Sequence, residues 1–289
     1  MNERPSLAEI RARAQKERYT EIGNVLARFW ARPTAVFGTW VALRLGLGAH
    51  QVTALALLSN LLAAAAIGTG TRVGFVAGVG LLYLGFWLDH VDGQVARWRE
   101  TSSLDGVYFD YLLHYATNLA LGFALGFGLM LCQGAISWTA AGFAIALGWT
   151  LLSLHNDCRY KAFFQRLKSS NSRYSVEGGA GGRPEPPTPW PKSGLGFWTW
   201  PAAKLCEPHG VILTLTLISA IAIASRGWWQ VVWMGYVVFM AMLAPMLAAG
   251  RIARAIRAHA VGREFEAWFR TDTTARENVD ARPPTELGG

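Results

Sequence analysis

The 289-residue chain is 52% hydrophobic and only 16% charged, where a soluble domain carries about 25% charged residues. Its charges cluster and leave long uncharged stretches, which excludes an ordinary soluble globular domain and points to lipid as the solvent over much of the chain. The net charge of +8 would suit nucleic acid, but in a membrane chain a basic excess serves topology, and no nucleic-acid partner is expected.

The first thirty residues (including RPSLAEIRARAQKERYTEIG) are rich in Arg and Glu and hold no apolar core of signal-peptide length, so insertion is expected to rely on internal spans. Residues 22–48 mix Arg28, Arg32 and Arg44 with Phe29, Trp30, Phe37 and Trp40. This suits an amphipathic helix lying in the interface, with Arg toward headgroups and aromatics at the boundary. Arg44 and the breaker Pro33 argue against reading it as a further span.

A helical span needs roughly 20 apolar residues. Six segments qualify, near Val52–Gly68, Val73–Leu88, Tyr111–Leu131, Ile136–Leu154, Val211–Ala224 and Trp229–Ala249. The expected fold is therefore all-α and polytopic, six transmembrane helices preceded by the interfacial helix. Its parts are a cytoplasmic arm and interfacial helix over 1–48, a six-span domain over 49–258, and a disordered cytoplasmic tail over 259–289.

Arg and Lys set the orientation. One side would hold the N-terminal arm, Arg97, Arg99, residues 159–204 and the tail from Arg251; the other holds only Arg72 and Arg226. By the positive-inside rule the crowded side is cytoplasmic. Between the fourth and fifth spans, residues 169–196 are dense in Gly, Pro and Ser and read as a flexible loop. Cys132, Cys158 and Cys206 are widely spaced, outside any zinc pattern, and read as free thiols.

Chemistry concentrates in LDHVDGQVARWRETSSLDGVYFDYLLH, residues 88–114. Asp89 and Asp92 lie three apart at the end of the second span, and Asp110 and His114 four apart at the start of the third, so each pair shares a helix face. Folding the two helix ends together would gather three carboxylates and an imidazole. Carboxylates packed so closely repel unless a cation neutralises them, and oxygen ligands suit hard cations such as Mg²⁺. Gly93, Gly106 and Ala96 keep bulk away from the backbone, and Arg97 offers a planar fork to phosphate.

The same stretch resembles the CDP-alcohol phosphotransferase family, whose pattern is Asp-x-x-Asp-Gly-x-x-Ala-Arg, eight residues, then Gly-x-x-x-Asp-x-x-x-Asp. Asp89, Asp92, Gly93, Ala96, Arg97, Gly106 and Asp110 stand at those spacings. The last Asp is replaced by His114. Imidazole can serve both as metal ligand and as general base, though a neutral ligand favours Mn²⁺ more than an aspartate would. LGLGAHQVTAL resembles the family's entry to the first span, with Ala49-His50 where Pro-Asn is usual.

The resemblance implies an integral membrane enzyme, a homodimer, that binds two divalent ions (Mg²⁺ or Mn²⁺) through Asp89, Asp92, Asp110 and His114. Asp92, Gly93, Ala96, Arg97 and Gly106 would bind the CDP moiety, and Asp110 and His114 would act in catalysis. The donor would be CDP-linked, foremost CDP-diacylglycerol, the acceptor a hydroxyl compound, and the product a phospholipid plus CMP. Its expected place is the bacterial inner (plasma) membrane, among membrane lipids, with the active site on the cytoplasmic side. A soluble CDP-alcohol with a lipid acceptor is the reverse arrangement. A non-catalytic nucleotide- or metal-binding protein is the rival class; a transporter is disfavoured because the acidic cluster lies at the membrane edge.

Outside the motif, His90 reads as a non-ligand neighbour, and His155, Asp157, Arg159 and Lys161 as either an acceptor-recognising lining or a snorkelling helix end. His209 reads as a cap on the fifth span.

Overall fold

The computed structural model describes residues 5–15, 24–170, 174–176, 193–225 and 227–271. The chain forms two compact units, residues 1–152 with 184–248, and residues 153–183 with 249–289.

The larger unit begins with α1 (Leu7–Ala14), capped by Ser6, whose hydroxyl accepts from the Glu9 amide while Glu9 reaches back to the Ser6 N–H at 2.7 Å. A π-helical turn at Ala27–Ala31 leads into α2 (Arg32–Arg44). Pro33 lacks the N–H that would meet a carbonyl four residues back, and the wider turn absorbs this, so the expected breaker bulges the helix without ending it. Then come α3 (Ala49–Gly68), α4 (Arg72–Arg99), α5 (Leu104–Gln133) and α6 (Ser137–Ser169). After residue 184 follow α7 (Leu195–Cys206), α8 (Pro208–Ala224) and α9 (Trp228–Arg257).

Among the described residues, α3, α4, α5, α6 and α9 are long and apolar enough to cross a membrane, and α7 and α8, bent by 73°, would together make a sixth span. The all-helical, six-span expectation is thus borne out, with one correction: the fifth span is broken. Pro208 opens α8 and fixes extended backbone at Glu207, whose carboxylate takes Lys204 Nζ at 2.7 and 3.0 Å. The N-cap of α8 is therefore Glu207; His209 lies inside the helix, buried, and is not the cap expected.

Two apolar clusters hold this unit together. In one, Ile67, Phe75, Leu125, Leu129 and Trp233 join α3, α4, α5 and α9, with the Phe75 and Trp233 rings 4.9 Å apart. Gly126 of α5 and Gly142 of α6 sit backbone to backbone, since a Cβ on Gly126 would fall 2.6 Å from the Gly142 Cα. In the other, Ile10, Ala14, Ala35, Val91, Val95 and Trp98 bind α1 and α2 to the last turns of α4.

The smaller unit holds the ends of α6 and α9, α10 (Ala260–Trp268), and strands β1 (Tyr174–Val176) and β2 (Phe269–Thr271), antiparallel with Ser175 opposite Arg270. The expected disorder from residue 259 therefore needs correction as far as 271. Phe265 and Trp268 of α10 pack on Phe163 of α6, at ring distances of 5.6 and 6.3 Å, which gives the segment a core. Residues 177–192 of the expected loop and 272–289 of the expected tail lie outside the described residues.

Candidate active site

The site forms where α4 turns into α5. Glu100 takes a left-handed conformation (φ 57°), and the Thr101 N–H returns to the Ala96 carbonyl at 3.0 Å, closing α4. Ser103 then caps α5 by accepting from the Gly106 N–H at 3.1 Å. Asp89 lies ten residues before the end of α4 and His114 ten residues after the start of α5, so each stands about 15 Å from the turn. An antiparallel return brings them level.

His114 Nε2 lies 3.5 Å from Asp110 Oδ1 and 3.9 Å from Asp89 Oδ1. One donor atom from each of Asp89, Asp110 and His114 falls within 4.8 Å of the others. Asp89 Oδ1 is buried and has no hydrogen-bond partner. A buried, orphaned carboxylate oxygen beside a second carboxylate and an imidazole fits a divalent cation, of hard to borderline character. Asp92 is held differently: its Oδ2 accepts from the Thr53 hydroxyl at 2.6 Å.

Two cavities meet at this cluster, and Asp89 and His90 line both. The larger, about 190 Å³, runs among α3, α4, α5, α6 and α8 past His114, Asn60, Thr117 and Trp149 to Leu82, Leu121 and Val211. The smaller, about 120 Å³, is basic and amide-lined, by Gln15, Arg32, Gly93, Gln94 and Arg97.

Residues 47–162 match the family model for CDP-alcohol phosphatidyltransferase. Residues 47–162 belong to that family. No curated protein matches the chain. Membership makes it an enzyme, a membrane transferase of substituted phosphate groups. The matched region contains every motif residue of the site.

Within this CDP-alcohol phosphatidyltransferase the other motif residues have distinct surroundings. A Cβ on Gly93 would approach the Arg97 guanidinium at 3.2 Å, so the glycine leaves Arg97 its place. Arg97 Nε donates to the Ala14 carbonyl of α1 at 2.7 Å. Ala96 supplies the carbonyl that closes α4. A Cβ on Gly106 would make only ordinary contacts, with Ser103 and His50. His90 donates from Nδ1 to the Phe86 carbonyl at 2.8 Å, which leaves Nε2 as its acceptor nitrogen.

In the smaller unit, Arg159 pairs with Glu264 at 2.8 Å.

Sequence reasoning missed Thr53, Asn60, Thr117, Gln15 and Gln94, and read Arg32, which lines the basic cavity, as facing lipid headgroups. Asn60 donates to Thr117 Oγ1 at 3.2 Å, a polar bridge between α3 and α5 in otherwise apolar surroundings. Gln94, almost wholly buried, accepts from the Thr39 hydroxyl at 2.9 Å and donates to Gln15 Oε1 at 3.0 Å. The signal available was polarity out of place: amides and hydroxyls inside apolar spans.

Proposed function

We propose that this chain transfers a phosphoalcohol group from a CDP-linked donor, foremost CDP-diacylglycerol, to a hydroxyl acceptor with release of CMP. The observation that carries this reading is the position of Asp89 between a basic cavity and a largely apolar one. A substrate joined through a diphosphate has just this division, an anionic, polar part and a lipid part, and its scissile bond would lie at the boundary.

Asp89, Asp110 and His114 are suited to hold divalent ions, Mg²⁺ or Mn²⁺, with Asp92 adjoining and fixed by Thr53. When bound, such ions neutralise charge on the diphosphate and its leaving group. Arg97 contributes a fixed cation to the phosphate side, and Gly93 leaves it room. In the transfer, the acceptor oxygen bonds to the phosphorus bearing the alcohol. The bond from that phosphorus to the oxygen bridging to CMP breaks, and CMP leaves with the electron pair. Where the ions are held by the carboxylates alone, His114 Nε2 is free to take the acceptor's proton, and Asp110 Oδ1 at 3.5 Å stabilises the imidazolium that results.

One feature favours the reverse arrangement, a soluble CDP-alcohol and a lipid acceptor: His114 faces the larger, mostly apolar cavity, where a lipid hydroxyl would meet it. In either arrangement the asymmetry of Arg and Lys supports a cytoplasmic site. The homodimer implied by the resemblance belongs to the same proposal.

Purified protein with CDP-diacylglycerol, a panel of polar hydroxyl acceptors and Mg²⁺ or Mn²⁺ is expected to release CMP, and Asp110→Ala to release none. Mass spectrometry of lipids from cells expressing each form would show a new headgroup with the native protein alone. Equal CMP release by both forms, or none by either across soluble and lipid-linked donors, overturns the reading.

A further inference from the structure

Arg32 precedes the matched region and is no part of the motif, yet it lines the basic cavity together with Asp89 and Arg97. Its Nε is buried without a hydrogen-bond partner. Burial pulls the guanidinium's pKa down, and the Asp89 carboxylate, on the wall of the same cavity, offsets part of that. Arg97 adds a second guanidinium to the same cavity, with its Nε already committed to the Ala14 carbonyl. Two cations sharing a small cavity, one with an orphaned donor, repel each other unless an anion lies between them.

The same Asp89 stands in the candidate cation group with Asp110 and His114. Arg32 and a divalent ion therefore compete for one carboxylate. An anion with several oxygens removes that conflict, because one oxygen can face the ion while another takes the guanidinium. Phosphate and diphosphate groups have this shape, and a planar fork matches them well. A single shared carboxylate has only two oxygens and one negative charge to divide between the ion and the guanidinium. The π turn and Pro33 fix the backbone at the start of α2, and the Arg32 carbonyl receives Gln94 Nε2 at 3.4 Å, so the side chain springs from an anchored position.

We infer that Arg32 is a diphosphate-binding residue that couples anion to metal: it opposes the divalent ion while the cavity is empty and supports it once a diphosphate bridges the two. This deepens the transferase reading and rests on it for the identity of the diphosphate as the CDP portion of the donor.

The test uses the full chain in detergent, with Mn²⁺ alone followed by electron paramagnetic resonance and CDP, which carries no alcohol to transfer, followed by calorimetry. In Arg32→Gln, CDP affinity at saturating Mn²⁺ should fall about tenfold or more, while Mn²⁺ alone binds more tightly than in the native chain. Arg32→Lys, which keeps the charge and loses the fork, should retain Mn²⁺ binding with an intermediate loss of CDP affinity; it carries the test if the glutamine variant does not fold. Unchanged CDP affinity in either variant overturns the inference. So does a parallel loss of Mn²⁺ and CDP affinity by one factor, which would mark a purely structural role. A native chain that releases CMP from a donor, with CDP binding indifferent to Arg32, sinks this inference and leaves the transferase reading. Arg32-dependent CDP binding in a chain that turns over no donor does the reverse.

Discussion

Thr53 of α3 donates its hydroxyl to Asp92 Oδ2 at 2.6 Å, so a residue of the first span fixes the orientation of a carboxylate on the second. Partners of this kind around a metal site aim the ligand and tune its basicity, and their loss typically costs 10- to 100-fold in metal affinity or activity. Thr53→Val keeps the branched shape and removes the donor. It is expected to lower CMP release and Mn²⁺ affinity by roughly tenfold, with Thr53→Ser restoring most of both. Equal activity in the valine variant would separate Asp92 from the working site.

His114 stands where the family pattern carries aspartate, 3.5 Å from Asp110. Alanine there removes both the nitrogen ligand and the proposed base, and turnover should drop by about two orders of magnitude or more. His114→Asp restores an oxygen ligand of the kind the family pattern has, and is expected to keep measurable CMP release while shifting metal preference from Mn²⁺ toward Mg²⁺. Steady-state rates in each metal check this. A fully active alanine variant would remove His114 from the mechanism.

Apolar runs and motif spacing made much of this legible beforehand. Six apolar segments announced the spans because lipid demands unbroken hydrophobic length. The positions of Asp89, Asp110 and His114 announced their convergence because a short turn must return the chain antiparallel. The break at Glu207 was hidden by its neighbours: LGFWTWPAAKLC follows a Gly- and Pro-dense stretch and contains Pro201, so composition reads as loop while packing makes a helix. Arg32 and Gln94 were hidden for another reason. They meet across 62 residues of chain, and only tertiary structure reports such a distance. In α10, by contrast, Val261, Phe265 and Trp268 already had helical spacing, and an amphipathic reading was there to be made.

The cap of α1 predicts a pH effect. Hydrogen bonds from the Ser6 backbone and side chain hold the Glu9 carboxyl below its ordinary value of 4.5. A depressed acid adds stability above its unfolded value and loses it as pH falls through the folded one. Between neutral pH and about 5, α1 should hold its cap; further acidification should fray it, and with it the Ala14 carbonyl that receives Arg97. Hydrogen-exchange protection over residues 7–14, measured against the free-peptide rate at the same pH, should therefore fall below pH 4.5 in the native chain. In Glu9→Gln it should show no such step.

In the smaller unit, Phe163 is 4% exposed and its ring lies within 6.3 Å of those of Tyr160, Phe265, Trp268 and Phe269. Phe163→Ala should destabilise this cluster by about 3–5 kcal/mol. Loss of hydrogen-exchange protection over residues 260–271 is the measurement, and unchanged protection would show that the aromatic packing does not hold the unit.

Gly85 gives the sharpest packing test. A Cβ there would overlap the Asn60 carboxamide, the group that reaches across to Thr117. Neither flank can yield easily, because Asn60 is 7% exposed and the Ala56 carbonyl lies 3.2 Å from the same point. Gly85→Ala must therefore push Asn60 off Thr117 and into the larger cavity, costing about 1–3 kcal/mol from overpacking and the lost bond. Melting in detergent should fall by several degrees, and CMP release should fall with it, since the displaced amide occupies space beside His114. Asn60→Ala added to Gly85→Ala removes the collision, so the double variant should melt above the glycine variant alone, with a coupling of about 0.5–3 kcal/mol. Additive losses in that cycle would mean that the two side chains do not meet, and that the cavity floor is shaped by something other than this pair.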